Sequence, residues 1–528
     1  MRDLHLPGRS VSYGSHGAAA TSQQLSTLIA LETLRHGGNA MDAALTASAV
    51  QCVIEPHNTG IGGDCFALYW RADQKKLYAL NGSGWAPAGL TDRILRDQGL
   101  NAIETESIHA VTIPGAIDAW SRLLADHGTK SFADILAPAI ELAEKGFILH
   151  ERAAADWAEE EVKLQKDEGA RAQLLKGERA PRVGEKIQFP ELAKTLRLLA
   201  NEGRDAFYQG TIAKSLVDFA QRQGGTHTLA DFSEFATHYV DPIKANYRGV
   251  DLYQIPPSGQ GLTALVLLNI LEGYQTKSMD PLSADRFHLQ IEATQLAYSV
   301  RDAFVADPAF ADVPVDRLLS KSFADELRAK IDMKKAGHAP SQKSSTYQRD
   351  TIYLTVADHF GNMCSFINSL YFSFGTGKVD PATGIALQNR GACFRVEPGH
   401  PNNVEPRKRP LHTIIPAMAL RDGKPWLSYG VMGGAYQPVG QAHVLQNLID
   451  YEMNIQEAFD YPRGFRRLDV FEGERGIPDE VMRELADRGH PVTRPTMPLG
   501  GGQGILMTDD GVYAAGTDPR KDGVALAY

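Results

Sequence analysis

The chain has 528 residues, of which 43% are hydrophobic and 22% charged, the composition of a globular protein able to bury a sizeable core. Its formal net charge of -10 argues against general nucleic-acid binding, and no apolar run reaches membrane-spanning length. Cys52, Cys65, Cys364 and Cys393 show no CxxC spacing and exclude a disulfide scaffold; with no signal-like apolar core in the first seven residues, the expectation is a cytoplasmic protein with reduced thiols.

In chain order, Thr21-Ser-Gln-Gln is expected to start a helix carrying Leu25, Leu28, Ile29, Leu31 and Leu34 at helical spacing, ended by Gly37-Gly38. A second, alanine-packed helix runs from Ala40 to Ile54, and Pro56 stops it. Gly60-Ile-Gly-Gly63 lacks the Lys-Ser/Thr of a phosphate loop and precedes a strand, so it reads as close backbone approach, not as a nucleotide site. Residues 150–203 are the most charged region and read as solvated helices without chemistry. Further helices are expected at 262–271 and 283–304, and one bracketed by Pro478 and Gly489.

Residues 336–350 form a polar run with almost nothing to bury, and read as a mobile tether. At Thr351 the pattern changes. Thr351-Ile-Tyr-Leu-Thr-Val-Ala-Asp358 alternates, with Ile352, Leu354 and Val356 on one face and Thr351, Tyr353 and Thr355 on the other, which predicts a strand. His359-Phe-Gly-Asn362 turns it into a hairpin whose second strand runs from Met363 to Leu370. A tether delivering a Thr to the head of a buried strand suits self-cleavage between Asp350 and Thr351, which frees an α-amine beside a hydroxyl, so that one residue supplies both nucleophile and base. An ordinary surface loop entering an ordinary strand has the same local pattern.

Asp358-His-Phe-Gly-Asn362, Phe374-Gly-Thr-Gly377, Arg409-Pro-Leu411, Gly433-Gly434 and Thr517-Asp-Pro-Arg-Lys-Asp-Gly523 occur in that order. Upstream stand Gly37-Gly-Asn-Ala-Met-Asp-Ala-Ala44, Gly60-Ile-Gly-Gly63, Ile113-Pro-Gly115 and Pro256-Pro-Ser-Gly259. This ordered set resembles the γ-glutamyltransferase (γ-glutamyltranspeptidase) family of N-terminal nucleophile hydrolases over nearly the whole chain. The resemblance implies an α+β fold, an αββα sandwich of two stacked antiparallel sheets flanked by helices, which fits the sequence reading of strands clustering after Thr351 and helices dominating before it. It also implies a large fragment 1–350 ending in the tether 336–350 and a small fragment 351–528, sharing one core as a heterodimer, with a dimer of heterodimers as a further option. No cofactor, metal, nucleic acid or membrane partner is implied.

In the site, the resemblance makes Thr351 the nucleophile, Ser369 the hydroxyl beside it where the family usually has Thr, and Gly433 and Gly434 the oxyanion hole. Substrate recognition departs from the family. Its carboxylate-binding Arg is Ser83 here, its Asn after the accessory hydroxyl is Tyr371, its amine-binding carboxylate is Cys393, its Gln three positions earlier is Arg390, and its serine pair is His412-Thr413. The amino-acid clamp is lost and one cation is gained. Arg390, Asn389, Tyr371, His412 and Thr413 are therefore the candidate substrate contacts, and the expected substrate is a small anionic amide. The pattern, with Leu387-Gln-Asn-Arg-Gly391 and His400-Pro-Asn402, looks most like the branch of the family that hydrolyses oxamate to oxalate and ammonia in urate breakdown. A γ-glutamyltransferase or glutathione hydrolase with a remodelled site, and a non-catalytic binding relative, stay open as alternatives.

Overall fold

The structure, a computed structural model, describes His5, residues 8–337 and residues 351–528. Asp350 and most of the tether lie outside the described residues. Two seven-stranded sheets stack face to face. The first runs Val524–Ala527, Gly17–Thr21, Ile352–Asp358, Met363–Ser369, Asp64–Arg71, Lys76–Gly82 and His238–Val240, every neighbour antiparallel. The second runs Ser12–Gly14, Tyr513–Thr517, Gly501–Met507, Lys424–Met432, Ala417–Arg421, Val250–Gln254 and Ile243–Tyr247, also antiparallel throughout.

Strand alternation decides which layer each side chain enters. Ile352, Leu354 and Val356 pack outward against the helices Gln24–Arg35 and Ala40–Ile54, whereas Tyr353 faces Ile367, Met418 and Ile505 between the sheets. On the far side, Leu427, Tyr429 and Val431 of the second sheet pack against the helices Gly261–Glu272, Ala284–Phe304 and Gln437–Ile449. The layers are thus helix, sheet, sheet, helix.

Among the described residues, 12 of the 21 strands but only 3 of the 19 α-helices follow Thr351, so strands do cluster after it, as expected. Both sheets nevertheless interleave strands from either side of it, and the early strands Gly17–Thr21 and Ser12–Gly14 escape notice because they are short and carry few of the β-branched residues that mark a strand locally. Thr21 accordingly ends a strand. The first helix begins at Gln24, with the Gln23 side chain accepting the Leu25 N–H. Ala40–Ile54 is buried along its whole length and starts with reciprocal capping by Asn39 and Asp42.

Asp358 ties these elements together. One carboxylate oxygen accepts from Phe360 N at 2.9 Å and Asn362 N at 3.0 Å, closing the hairpin turn, and the other accepts from Ala40 N at 2.8 Å, where the positive helix end favours a negative charge. Ala336 and Gly337, the first residues of the expected tether, are held: Ala336 N–H donates to Arg488 O at 2.7 Å and Gly337 N–H to Glu292 Oε2 at 3.1 Å. No described helix is long and apolar enough to cross a membrane.

Candidate active site

Thr351 is 1% exposed and stands immediately before the strand Ile352–Asp358. Two contacts fix how that strand lies on the second sheet. Thr355 Oγ1 is 2.7 Å from Ser428 Oγ, and the Tyr353 ring occupies the space where a Cβ on Gly430 would be, 2.3 Å from its Cδ2. The two strands therefore cross in opposite directions, and one further step along each brings Thr351 toward Met432 and the Gly433-Gly434 pair. Thr351 Oγ1 is also 2.9 Å from Ser369 Oγ, at the end of the neighbouring strand. Ser369 Oγ accepts the Tyr371 N–H at 2.9 Å, so the serine bridges Thr351 to the loop beyond.

Gly433 and Gly434 have φ of 118° and 54°, which side chains rarely tolerate, and a Cβ on Gly433 would lie 3.2 Å from Gly500 Cα. The turn Gly434–Tyr436 leads directly into the helix Gln437–Ile449. Backbone N–H groups at such a helix entrance suit a developing negative charge. Gln260 braces the pair: its amide donates to Gly434 O at 2.9 Å and Thr413 O at 2.7 Å, while its oxygen accepts from Arg301 at 3.3 Å.

Arg390 is fully buried on the short turn Arg390–Cys393. One terminal nitrogen donates to Thr413 Oγ1 at 2.7 Å, and the guanidinium lies over the Tyr371 ring, 4.1 Å from its centroid. Its Nε and second terminal nitrogen have no hydrogen-bond partner, and no carboxylate among the described residues pairs with it. Tyr371 has a φ of 85°, an unusual backbone state for a bulky residue and one that tends to accompany function. A narrow cavity of about 40 Å³ is bounded by Tyr371, Thr413, Cys393, Arg395, His400 and Arg301.

Two expected substrate contacts have their polar atoms engaged within the protein. Asn389 spends its amide on Thr105 O at 3.0 Å and Gly375 O at 2.9 Å, and its oxygen accepts from Phe372 N at 3.1 Å, so it braces the loop. His412 donates from Nε2 to Asp64 Oδ2 at 2.9 Å and accepts the Ile414 N–H at Nδ1, leaving no nitrogen for a ligand. Burial, then the Arg390 cation, pushes its pKa down to about 4 against the pull of Asp64, so the imidazole is neutral. Asp64 Oδ1 also accepts from Gln388 at 2.8 Å, which anchors the segment carrying Arg390.

The family model for γ-glutamyltranspeptidase matches residues 26–528. The chain is 38% identical over 507 residues to the glutathione hydrolase-like YwrD proenzyme of Bacillus subtilis, covering 93% of this chain and 95% of that one. It is 32% identical to the oxamate amidohydrolase proenzyme of Klebsiella pneumoniae, covering 98% and 100%. The crystal structure of cephalosporin acylase from Bacillus halodurans superposes with a TM-score of 0.93 at 37% identity, covering 100% of this chain and 98% of that one.

The chain belongs to the γ-glutamyltranspeptidase family. It is a self-processing amidohydrolase on the N-terminal nucleophile fold, and proenzymes of this family are cleaved into two subunits that remain together as a heterodimer. Of the positions that depart from the family pattern, Tyr371, Cys393 and Thr413 border the narrow cavity. Cys393, a free thiol, borders the cavity. Ser83 is buried, and its carbonyl accepts from Arg409 Nε at 3.1 Å. Sequence reasoning missed Gln260, Asp64 and Arg301. The first two act through partners far along the chain, and Arg301 sits on a helix whose pattern shows only that it is buried.

Proposed function

We propose that this γ-glutamyltranspeptidase relative cuts itself between Asp350 and Thr351 and then hydrolyses a small anionic amide, with oxamate as the best fit. The observation that carries this is the buried Arg390, two of whose nitrogens have no partner. An unpaired buried guanidinium edge costs free energy that a carboxylate offsets with charge-assisted hydrogen bonds. Tyr371, larger than the Asn usual in the family at that position, fills the space against the Arg390 guanidinium and favours a short acyl group.

In the mechanism that follows, Thr351 Oγ1 attacks the amide carbon while the freed α-amine of Thr351 takes the hydroxyl proton. Ser369 holds Oγ1 in line. The carbonyl oxygen takes up charge against the backbone N–H groups around Gly433 and Gly434. The α-amine returns the proton to the departing nitrogen, which leaves as ammonia, and an acyl ester remains on Thr351. Water, deprotonated by the same amine, cleaves that ester to oxalate and frees Thr351. Arg390 and Thr413 hold the substrate carboxylate throughout.

The higher identity to the glutathione hydrolase-like and cephalosporin acylase proteins favours a second reading, an acylase for a longer anionic acyl chain. Ammonia release from oxamate, set against p-nitroaniline release from glutaryl- and γ-glutamyl-p-nitroanilide, separates the two. Turnover of oxamate well above both anilides is expected. Efficient turnover of either anilide with none of oxamate overturns the proposal.

A further inference from the structure

Away from the amide site, the helix Ala284–Phe304 carries His288 and Glu292 one turn apart on the same face, and His490 meets them from the chain beyond the helix Asp479–Asp487. We propose that His288, Glu292 and His490 form a binding site for one divalent transition-metal ion, with zinc as the natural occupant of a two-imidazole, one-carboxylate set.

All three side chains are buried, and their ligand atoms lie within 4.8 Å of one another. His288 Nδ1 is 2.7 Å from His490 Nε2, and His490 Nε2 is 4.0 Å from Glu292 Oε1. Tetrahedral zinc with bonds of about 2.0 to 2.1 Å sets donor atoms about 3.3 Å apart. The imidazole pair opens by roughly 0.6 Å, and the carboxylate closes by about 0.7 Å toward His490 and by up to about 1.5 Å toward His288, which rotation of the Glu292 side chain supplies. The surrounding groups are arranged as supports of a ligand set. His288 Nε2 donates to Asp332 O at 2.8 Å, which leaves the lone pair of Nδ1 facing inward. Glu292 is held on both oxygens, by Gln295 Nε2 at 3.0 Å and Gly337 N at 3.1 Å. In the metal-free state one proton, shared along the His288–His490 contact, occupies the place of the ion. The fourth coordination position is left to water.

The site is distinct from the amide pocket: His288 precedes Arg301 by thirteen residues, about 20 Å along the helix axis. It also joins the two halves of the chain. If the backbone is cut at Asp350/Thr351, as proposed above, His288 and Glu292 belong to the large fragment and His490 to the small one, so the ion staples the heterodimer where Gly337 leaves the folded core.

The test is titration of chelator-stripped protein with Co²⁺ and Zn²⁺, using mature enzyme and the Thr351→Ala chain. One Co²⁺ per chain, with the intense visible absorption of four-coordinate cobalt displaced by Zn²⁺, is expected in both. His490→Gln and Glu292→Gln should bind at least about a hundredfold more weakly while keeping processing and amidase activity. Zn²⁺ should raise the melting temperature of wild type and of neither variant. Absence of stoichiometric binding to wild type overturns the proposal, as does unchanged affinity in either folded variant. Binding to Thr351→Ala that still yields two fragments keeps the metal site and rejects the cleavage position instead.

Discussion

The guanidinium of Arg390 lies over the ring of Tyr371, 4.1 Å from its centroid, and the backbone N–H of that tyrosine donates to Ser369 Oγ, itself 2.9 Å from Thr351 Oγ1. The cation and the hydroxyl pair are thus joined through a single residue, Tyr371. Arg390→Gln should chiefly weaken substrate capture, lowering kcat/KM on oxamate by about 1.5 to 3 kcal/mol, roughly 10- to 160-fold. Folding and self-cleavage should survive, because the partner left behind is the Thr413 hydroxyl and not a buried carboxylate. Arg390→Lys should recover only part of the loss, since a point charge lacks the planar fork. Steady-state kinetics with a gel assay of processing check this; an unchanged kcat/KM in fully processed Arg390→Gln would falsify the assignment.

Thr351→Ala removes the oxygen that both self-cleavage and turnover require, so it should remain one chain and be inactive. Thr351→Ser keeps the oxygen but loses the methyl group that restricts its rotamer, and should process slowly. N-terminal sequencing of the small wild-type fragment should read Thr-Ile-Tyr-Leu. Wild-type cleavage in Thr351→Ala would show that the scissile bond is elsewhere.

Ser369 serves Thr351 Oγ1 and the Tyr371 N–H together. Ser369→Ala leaves that buried N–H unpaired, a cost of about 1 to 3 kcal/mol in unfolding free energy, and should slow both processing and turnover. Ser369→Thr restores the oxygen and should keep most of the activity. Urea midpoints and single-turnover rates report the two effects separately, and an Ala variant altered in stability alone would reduce Ser369 to a structural role.

His412 is buried neutral with its pKa near 4, below the value of about 6.5 it regains on unfolding. The unfolded chain therefore binds more protons, so this contribution to stability is full above pH 6.5 and lost as pH falls toward 4. For this one group the loss between pH 7 and pH 5 is about 2 kcal/mol. Burial also lowers His57, His127 and His227, adding loss in the same direction. The measurement is therefore a difference. His412→Gln, whose amide can still donate to Asp64, should show a shallower fall in urea midpoint than wild type over that range. Parallel pH curves for the two proteins would mean that His412 does not titrate as its surroundings require.

Much of the architecture was legible locally. The alternation from Ile352 to Val356, the hairpin turn at His359-Phe-Gly-Asn362 and the helices Ala40–Ile54 and Ala284–Phe304 follow from side-chain period and capping residues, which act within a few positions. The strand Gly17–Thr21 was not legible, because Gly-Ala-Ala-Ala-Thr has no β signal of its own and is a strand only through its pairing with Ile352–Asp358 and Val524–Ala527.

The same division runs through the site. By itself the sequence determined which residue types were present: a Thr at the head of a buried strand, a Gly pair, and an Arg where an amino-acid clamp had been lost. Only the tertiary structure decided what each one touches. His412 meets Asp64 across 348 residues and is spent there, Asn389 is spent on its own loop, and Gln260 reaches Gly434 across 174. Arg390 alone of the expected contacts keeps buried donors without a partner. Whether a buried polar group is satisfied depends on atoms brought together by the packing of two sheets, and a hydrogen bond made across hundreds of residues leaves no period, spacing or cap in the chain that forms it.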